Sequence, residues 1–102
     1  MSKITRVGII GAGYISDWHA DAIVATQNAE LTCVVDSNFS AAEAFGAARG
    51  IAAFASVQDM LTAGAADAVH VLTPPELHRA VTLECIAGGL HVLVEKPVAL
   101  SA

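Results

Sequence analysis

The chain has 102 residues, enough for one domain around a single hydrophobic core and no more. Its formal charge of −5, with only five Lys and Arg scattered along it, leaves no basic patch to neutralise a polynucleotide or an anionic membrane surface, so neither nucleic acid nor membrane is expected as a partner. Apolar residues make up 55% before glycine is counted, much of it alanine. A parallel sheet covered on both faces accounts for the rest, because its strands read as continuous Val, Ile and Leu runs.

Lys3 and Arg6 precede an apolar run, but Gly8, Gly11 and Gly13 interrupt it and Asp17 closes it, so no targeting segment and no membrane span is read there. Val7-Gly8-Ile9-Ile10 predicts a buried strand. Gly11-Ala12-Gly13-Tyr14-Ile15-Ser16 follows at once and opens a helix that carries Trp18, Ala22 and Ile23 toward a core. Leu31 to Val35 predicts a second strand, ending in Asp36.

A strand, a glycine turn, a helix and a second strand ending in a carboxylate form a phosphate-binding unit. Gly11 allows a tight reversal, Gly13 leaves the main chain open to a pyrophosphate, and free N–H groups at the helix start face the anion. Tyr14 and Ile15 complete the turn; Tyr14, like Trp18, reads first as a packing group, with covering the pyrophosphate as its alternative role. Ser16 stands where a third glycine is usual and is small enough for close helix packing. Twenty residues on, Asp36 can accept hydrogen bonds from both hydroxyls of an adenosine ribose. It repels a 2'-phosphate, and Ser37-Asn38 beside it supplies no arginine, so NAD is expected over NADP, with Ser37 in the cofactor-binding set. The glycine pattern alone is a weak signal; the flanking strands and the acid in register give it weight.

Ser40 is placed to cap a helix running from Ala41 to Ala48, which Gly50 stops. Ile51 to Phe54 predicts a third strand. Ser56 followed by Asp59 has the capping-box form, and Val57, Met60 and Leu61 give the next helix its apolar stripe, down to Ala63-Gly64. Ala68 to Leu72 predicts a fourth strand, ended by Thr73-Pro74-Pro75. Leu77, Val81 and Cys85 recur at helical spacing until Gly88-Gly89, and His91 to Val94 predicts a fifth strand.

This alternation implies right-handed crossovers and an α/β fold: a Rossmann-type, doubly wound parallel sheet of order 3-2-1-4-5. Ligand then lies at the carboxyl ends of the strands, where the glycine turn, Thr73-Pro74 and Glu95-Lys96-Pro97 converge. Ser101-Ala102 reads as the cap of a further helix, so residues 1–102 are expected to be a cofactor-binding domain truncated after its fifth strand, at the front of a longer two-domain protein. Cys33 in a strand and Cys85 in a helix, without CxxC spacing or a His cluster, predict buried reduced thiols, no metal site and a cytoplasmic setting. His70 reads as a hydrogen-bonded core residue, His91 as a strand opener and His19 as a surface or helix-contact residue.

With these residues in view, the sequence resembles the glucose-fructose oxidoreductase and inositol dehydrogenase (Gfo/Idh/MocA) family over essentially its whole length. Gly11-Ala-Gly13-Tyr-Ile, Asp36, Asp67-Ala-Val, Thr73-Pro74 with His78, and Gly89 through Pro97 carry the resemblance. It implies an NAD(P)-dependent dehydrogenase of sugars, cyclitols or related hydroxy compounds, with the substrate pocket and the general base in a second domain beyond Ala102. It also implies that Lys96 reaches the oxygen of the reacting carbon while Glu95 meets the nicotinamide ribose. Pro97 disfavours helical geometry at Lys96, and an ammonium stabilises developing alkoxide charge. As an isolated pair, Glu95-Lys96 would read instead as a solvated strand-end ion pair.

The resemblance further implies that Thr73 and Pro74 run their main chain along the cofactor and that His78 lies near the nicotinamide, though a helix-cap role for His78 is equally open. Pro75 stands where many relatives carry asparagine, which removes any contact that side chain would make while keeping a backbone suited to a helix start. The chain alone is expected to bind NAD weakly without turnover and to self-associate through exposed sheet edge or apolar surface. The alternative is a stand-alone dinucleotide-binding or scaffold module without chemistry.

Overall fold

The computed structural model describes residues 4–11, 16–25, 28–73 and 75–93, with the backbone alone at 16–19, 75–78 and 93. Strands and helices alternate in the order β1 (Thr5–Ile10), α1 (Ser16–Ala25), β2 (Ala29–Val35), α2 (Phe39–Arg49), β3 (Ala52–Phe54), α3 (Val57–Ala63), β4 (Ala68–Val71), α4 (Pro75–Ala87) and β5 (His91–Leu93). All strand pairs are parallel, and the sheet order is β3-β2-β1-β4-β5, as the alternation requires.

Each face of the sheet buries its own core. Val7 and Ile9 of β1 turn to one side, where they meet Ala20 and Ile23 of α1, Leu31 of β2 and the partly buried Phe45 of α2. Ile10, Cys33, Val35, Val69 and Val71 turn to the other side, where Val57 and Met60 of α3 and Cys85 of α4 cover them. β1 therefore buries apolar residues on both faces, whereas β4 turns Val69 and Val71 to the α3/α4 side and Ala68 and the half-buried His70 to the other.

Strand β2 changes faces along its length. The pairing runs Val7 with Leu31 and then Gly8 with Cys33, so Thr32 is an extra residue opposite the Val7/Gly8 step. Its hydroxyl donates to the Ala65 carbonyl at 2.7 Å, which occupies the side chain that the irregularity turns out of the ladder. Leu31 thus serves the α1/α2 face while Cys33 and Val35 serve the α3/α4 face. Gly8 makes room for this, because a Cβ there would lie 2.7 Å from the Cys33 Sγ.

Local signals hold with three shifts. Ser56 caps α3 through Oγ, which accepts from the Asp59 N–H at 3.1 Å, and Gly64 ends that helix. The cap of α2 is Asn38, whose Oδ1 accepts from the Ala41 N–H at 3.3 Å, so the helix begins before Ser40. Asn38 competes as well as serine for that position, and capping there adds half a turn. In α1 the inward alanine is Ala20, while Ala22 is exposed; Ala20 and Ile23 share one face at a spacing of three. His70 is half-buried rather than a core residue.

Candidate functional site

Gly11 is where β1 ends and the chain turns toward α1. Its φ is +107°, and a Cβ there would lie 3.1 Å from both the carbonyl carbon and oxygen of Leu72, so only glycine fits both the conformation and the space. Its N–H donates to the Val35 carbonyl at 2.7 Å, the Leu72 N–H donates to the Ile10 carbonyl at 2.8 Å, and the Asp36 N–H donates to the Phe54 carbonyl at 3.1 Å. These bonds bring the ends of β1, β2, β3 and β4 level with one another.

Above them lies a cleft of about 300 Å³, into which Gly11, Asp36, Ser37 and Thr73 are gathered. Asp36 is held by its own turn: Oδ1 accepts from the Asn38 N–H at 2.9 Å, an Asx turn that fixes the carboxylate at the tip of β2. A carboxylate offers about four acceptor positions, more than this one bond takes up. The Thr73 hydroxyl is buried and has no hydrogen-bond partner among the described residues. Buried polar groups are ordinarily paired, and one lining a cleft is an observation in favour of a polar ligand there.

The site includes the carboxyl ends of the neighbouring β1 and β4, the switch point at which open parallel sheets bind ligands. A diol beside Asp36 and a polar group at Thr73 are the chemistry this cleft accepts. The residues present thus fit a dinucleotide.

Of the positions singled out from the sequence, the structure brings together Gly11, Asp36, Ser37 and Thr73. Gly13, Tyr14, Ile15, Pro74, Glu95 and Lys96 lie outside the described residues, as does the side chain of His78, whose backbone forms part of the first turn of α4. Sequence reasoning missed the walls of the cleft, formed by Ala55, Ser56, Val57, Val81 and Glu84. Val57 and Val81 were read as core stripe, and they serve both purposes; the signal for Ser56 was its place just past β3, at the carboxyl edge.

Cys33 and Cys85 are both fully buried free thiols. Burial pushes the Cys33 thiol up, against a lowering hydrogen bond from Thr32, and burial pushes Cys85 up to about 11. Neither is a nucleophile in waiting. Among the described residues, no helix is long and apolar enough to cross a membrane.

A family model described as an oxidoreductase family with an NAD-binding Rossmann fold matches residues 5–102. Inositol 2-dehydrogenase of Corynebacterium glutamicum is 36% identical over 100 residues, 96% of this chain and 30% of that protein. Glucose-6-phosphate 3-dehydrogenase of Bacillus subtilis is 38% identical over 94% of this chain and 27% of its own length. Among solved structures, the WlbA dehydrogenase from Bordetella pertussis in complex with NADH and UDP-GlcNAcA superposes with a TM-score of 0.86 at 40% identity, over 97% of this chain and 29% of that one. The chain therefore spans about 30% of the length of the curated relatives it matches.

Proposed function

Because the chain belongs to the Gfo/Idh/MocA oxidoreductase family and carries its NAD-binding Rossmann fold, we propose that it is the cofactor-binding part of a dehydrogenase acting on a secondary alcohol of a sugar, cyclitol or related hydroxy compound. The observation that carries this reading is the convergence of Gly11, Asp36 and the Thr73 hydroxyl, which has no partner among the described residues, on one cleft at the carboxyl ends of the strands.

Within it, Asp36 accepts from the adenosine ribose and Ser37 flanks it, while Gly11, Gly13, Tyr14 and Ile15 form the pyrophosphate turn. Thr73, Pro74 and His78 follow the cofactor toward the nicotinamide. Glu95 meets the nicotinamide ribose, and the Lys96 ammonium stabilises negative charge on the substrate oxygen. NAD, when bound, supplies the hydride acceptor. The sugar-like substrate and the general base are met by a second domain of the kind the longer relatives have room for. The buried reduced thiols suit a cytoplasmic compartment, and copies of the chain associate through exposed sheet edge or apolar surface, with neither nucleic acid nor membrane as a partner.

Calorimetric titration of the purified chain with NAD and NADP, repeated on Asp36→Ala, tests the assignment. NAD is expected to bind at least about tenfold more tightly than NADP, and the variant to bring the two toward parity, since loss of a charged acceptor is worth roughly 1.5–3 kcal/mol. Equal affinities in the unmodified chain would refute the role given to Asp36. Sugar-dependent NADH production by this chain alone would overturn the need for a second domain.

A further inference from the structure

We propose that Glu84 selects the base of the cofactor, recognising the exocyclic amine of adenine. This deepens the reading of the cleft as an NAD site and rests on it. With the ribose on Asp36, the base lies in the cleft that Asp36 shares with the ends of β3 and β4 and with α3 and α4. There the cleft is walled by Ala55, Val57 and Val81, apolar groups suited to the faces of a purine.

Glu84 lines the same cleft one helical turn beyond Val81, so the two side chains stand on one face of α4 at a spacing of three. Among the described residues it is, besides Asp36, the only carboxylate of the lining, and its side chain has no ion-pair or hydrogen-bond partner there. A carboxylate at the end of an apolar slot accepts and does not donate. Adenine presents an N–H donor at its 6-position, which such a group accepts; hypoxanthine presents a carbonyl oxygen there, which it repels. Such a group favours the base that donates to it over the one that presents an acceptor.

The test is competitive titration with NAD and nicotinamide hypoxanthine dinucleotide of the unmodified chain, Glu84→Gln and Glu84→Ala. Glu84 is exposed on its helix, so both variants should fold, which circular dichroism checks. The unmodified chain is expected to prefer NAD by about tenfold, the worth of one charged hydrogen bond. Glu84→Ala should lose most of that preference. Glu84→Gln should lose it or reverse it, because the amide N–H₂ can donate to the hypoxanthine oxygen. The same ratio of affinities in all three proteins overturns the role of Glu84 and leaves the cofactor reading standing. Failure of the unmodified chain to bind either dinucleotide overturns the cofactor reading, and this assignment with it.

Discussion

At the amino ends of the strands polar groups are matched to one another, whereas at the carboxyl ends they face a cleft. The Asp67 carboxylate accepts from the Arg6 backbone N–H at 3.1 Å, from its Nε at 3.2 Å and from its Nη2 at 2.9 Å, while Nη1 donates to the Gly64 carbonyl at 2.9 Å. This pairing raises the Arg6 guanidinium pKa further, first through the hydrogen bond and then through the charge of Asp67. The Asp67 main chain adds a bond to the Arg6 carbonyl at 2.7 Å and accepts from the His91 N–H at 3.1 Å, so one residue ties β1, β4 and β5 together. At the other end, Asp36 stands at the rim of the cleft, its Oδ1 accepting from the Asn38 N–H, and Thr73 keeps a hydroxyl without a partner among the described residues. One end closes the sheet; the other opens onto a cleft.

Substitutions should separate the two ends. The largest effect is expected for Gly11→Val, which forces a branched side chain onto the Leu72 carbonyl at a φ that such residues avoid. NAD affinity should fall at least about a hundredfold, the consequence of roughly 3 kcal/mol of displacement in the backbone facing the pyrophosphate. Calorimetry returning an unchanged affinity would mean that the turn does not face the cofactor.

Asp67→Ala should act in the opposite sense, lowering the thermal midpoint by roughly 5 °C while changing NAD affinity by no more than about twofold. The side chains of Arg6 and Asp67 remain 45% and 39% exposed, so the effect should shrink in high salt. A large loss of NAD affinity here would break the division between the ends. The smallest effect is expected for Thr73→Val, which replaces a buried hydroxyl by a methyl of nearly the same shape. The apo midpoint should stay level or rise, and NAD affinity should drop about fivefold, consistent with roughly 1 kcal/mol for one lost hydrogen bond. A fall in midpoint with unchanged affinity would show that this hydroxyl serves the fold.

The sheet order was readable because alternating apolar strands and short helices admit few right-handed arrangements, and Ser56, Gly50 and Gly64 mark their helix ends as their chemistry requires. Asn38 and Ser40 compete for one cap, and nothing in the side chains alone ranks them. Ala20 and Ala22 were inseparable for a related reason, since alanine carries little preference for either side of a helix. Gly11 and Asp36 could be assigned to the site because their chemistry is tied to a position at the strand ends. Ala55, Val57 and Val81 could not, because an apolar side chain lining a cleft has the same periodicity as one in the core. Thr73 was placed by its neighbours, but the solitude of its hydroxyl depends on what the fold brings near it.

The insertion at Thr32 acts as a phase shift written into one strand. Side chains alternate strictly along a strand, so a single additional residue exchanges the two faces for everything downstream. Here it lets Leu31 point into one layer and Cys33 into the other, and it brings Val35 opposite Ile10, so that the carboxylate of Asp36 follows level with Gly11. The placement of the Asp36 carboxylate beside Gly11 is thus measured in residues counted from Thr32, and a deletion there would invert the strand without altering any of the groups that line the cleft. The length of β2 is as much a determinant of the cleft as the acid at its tip.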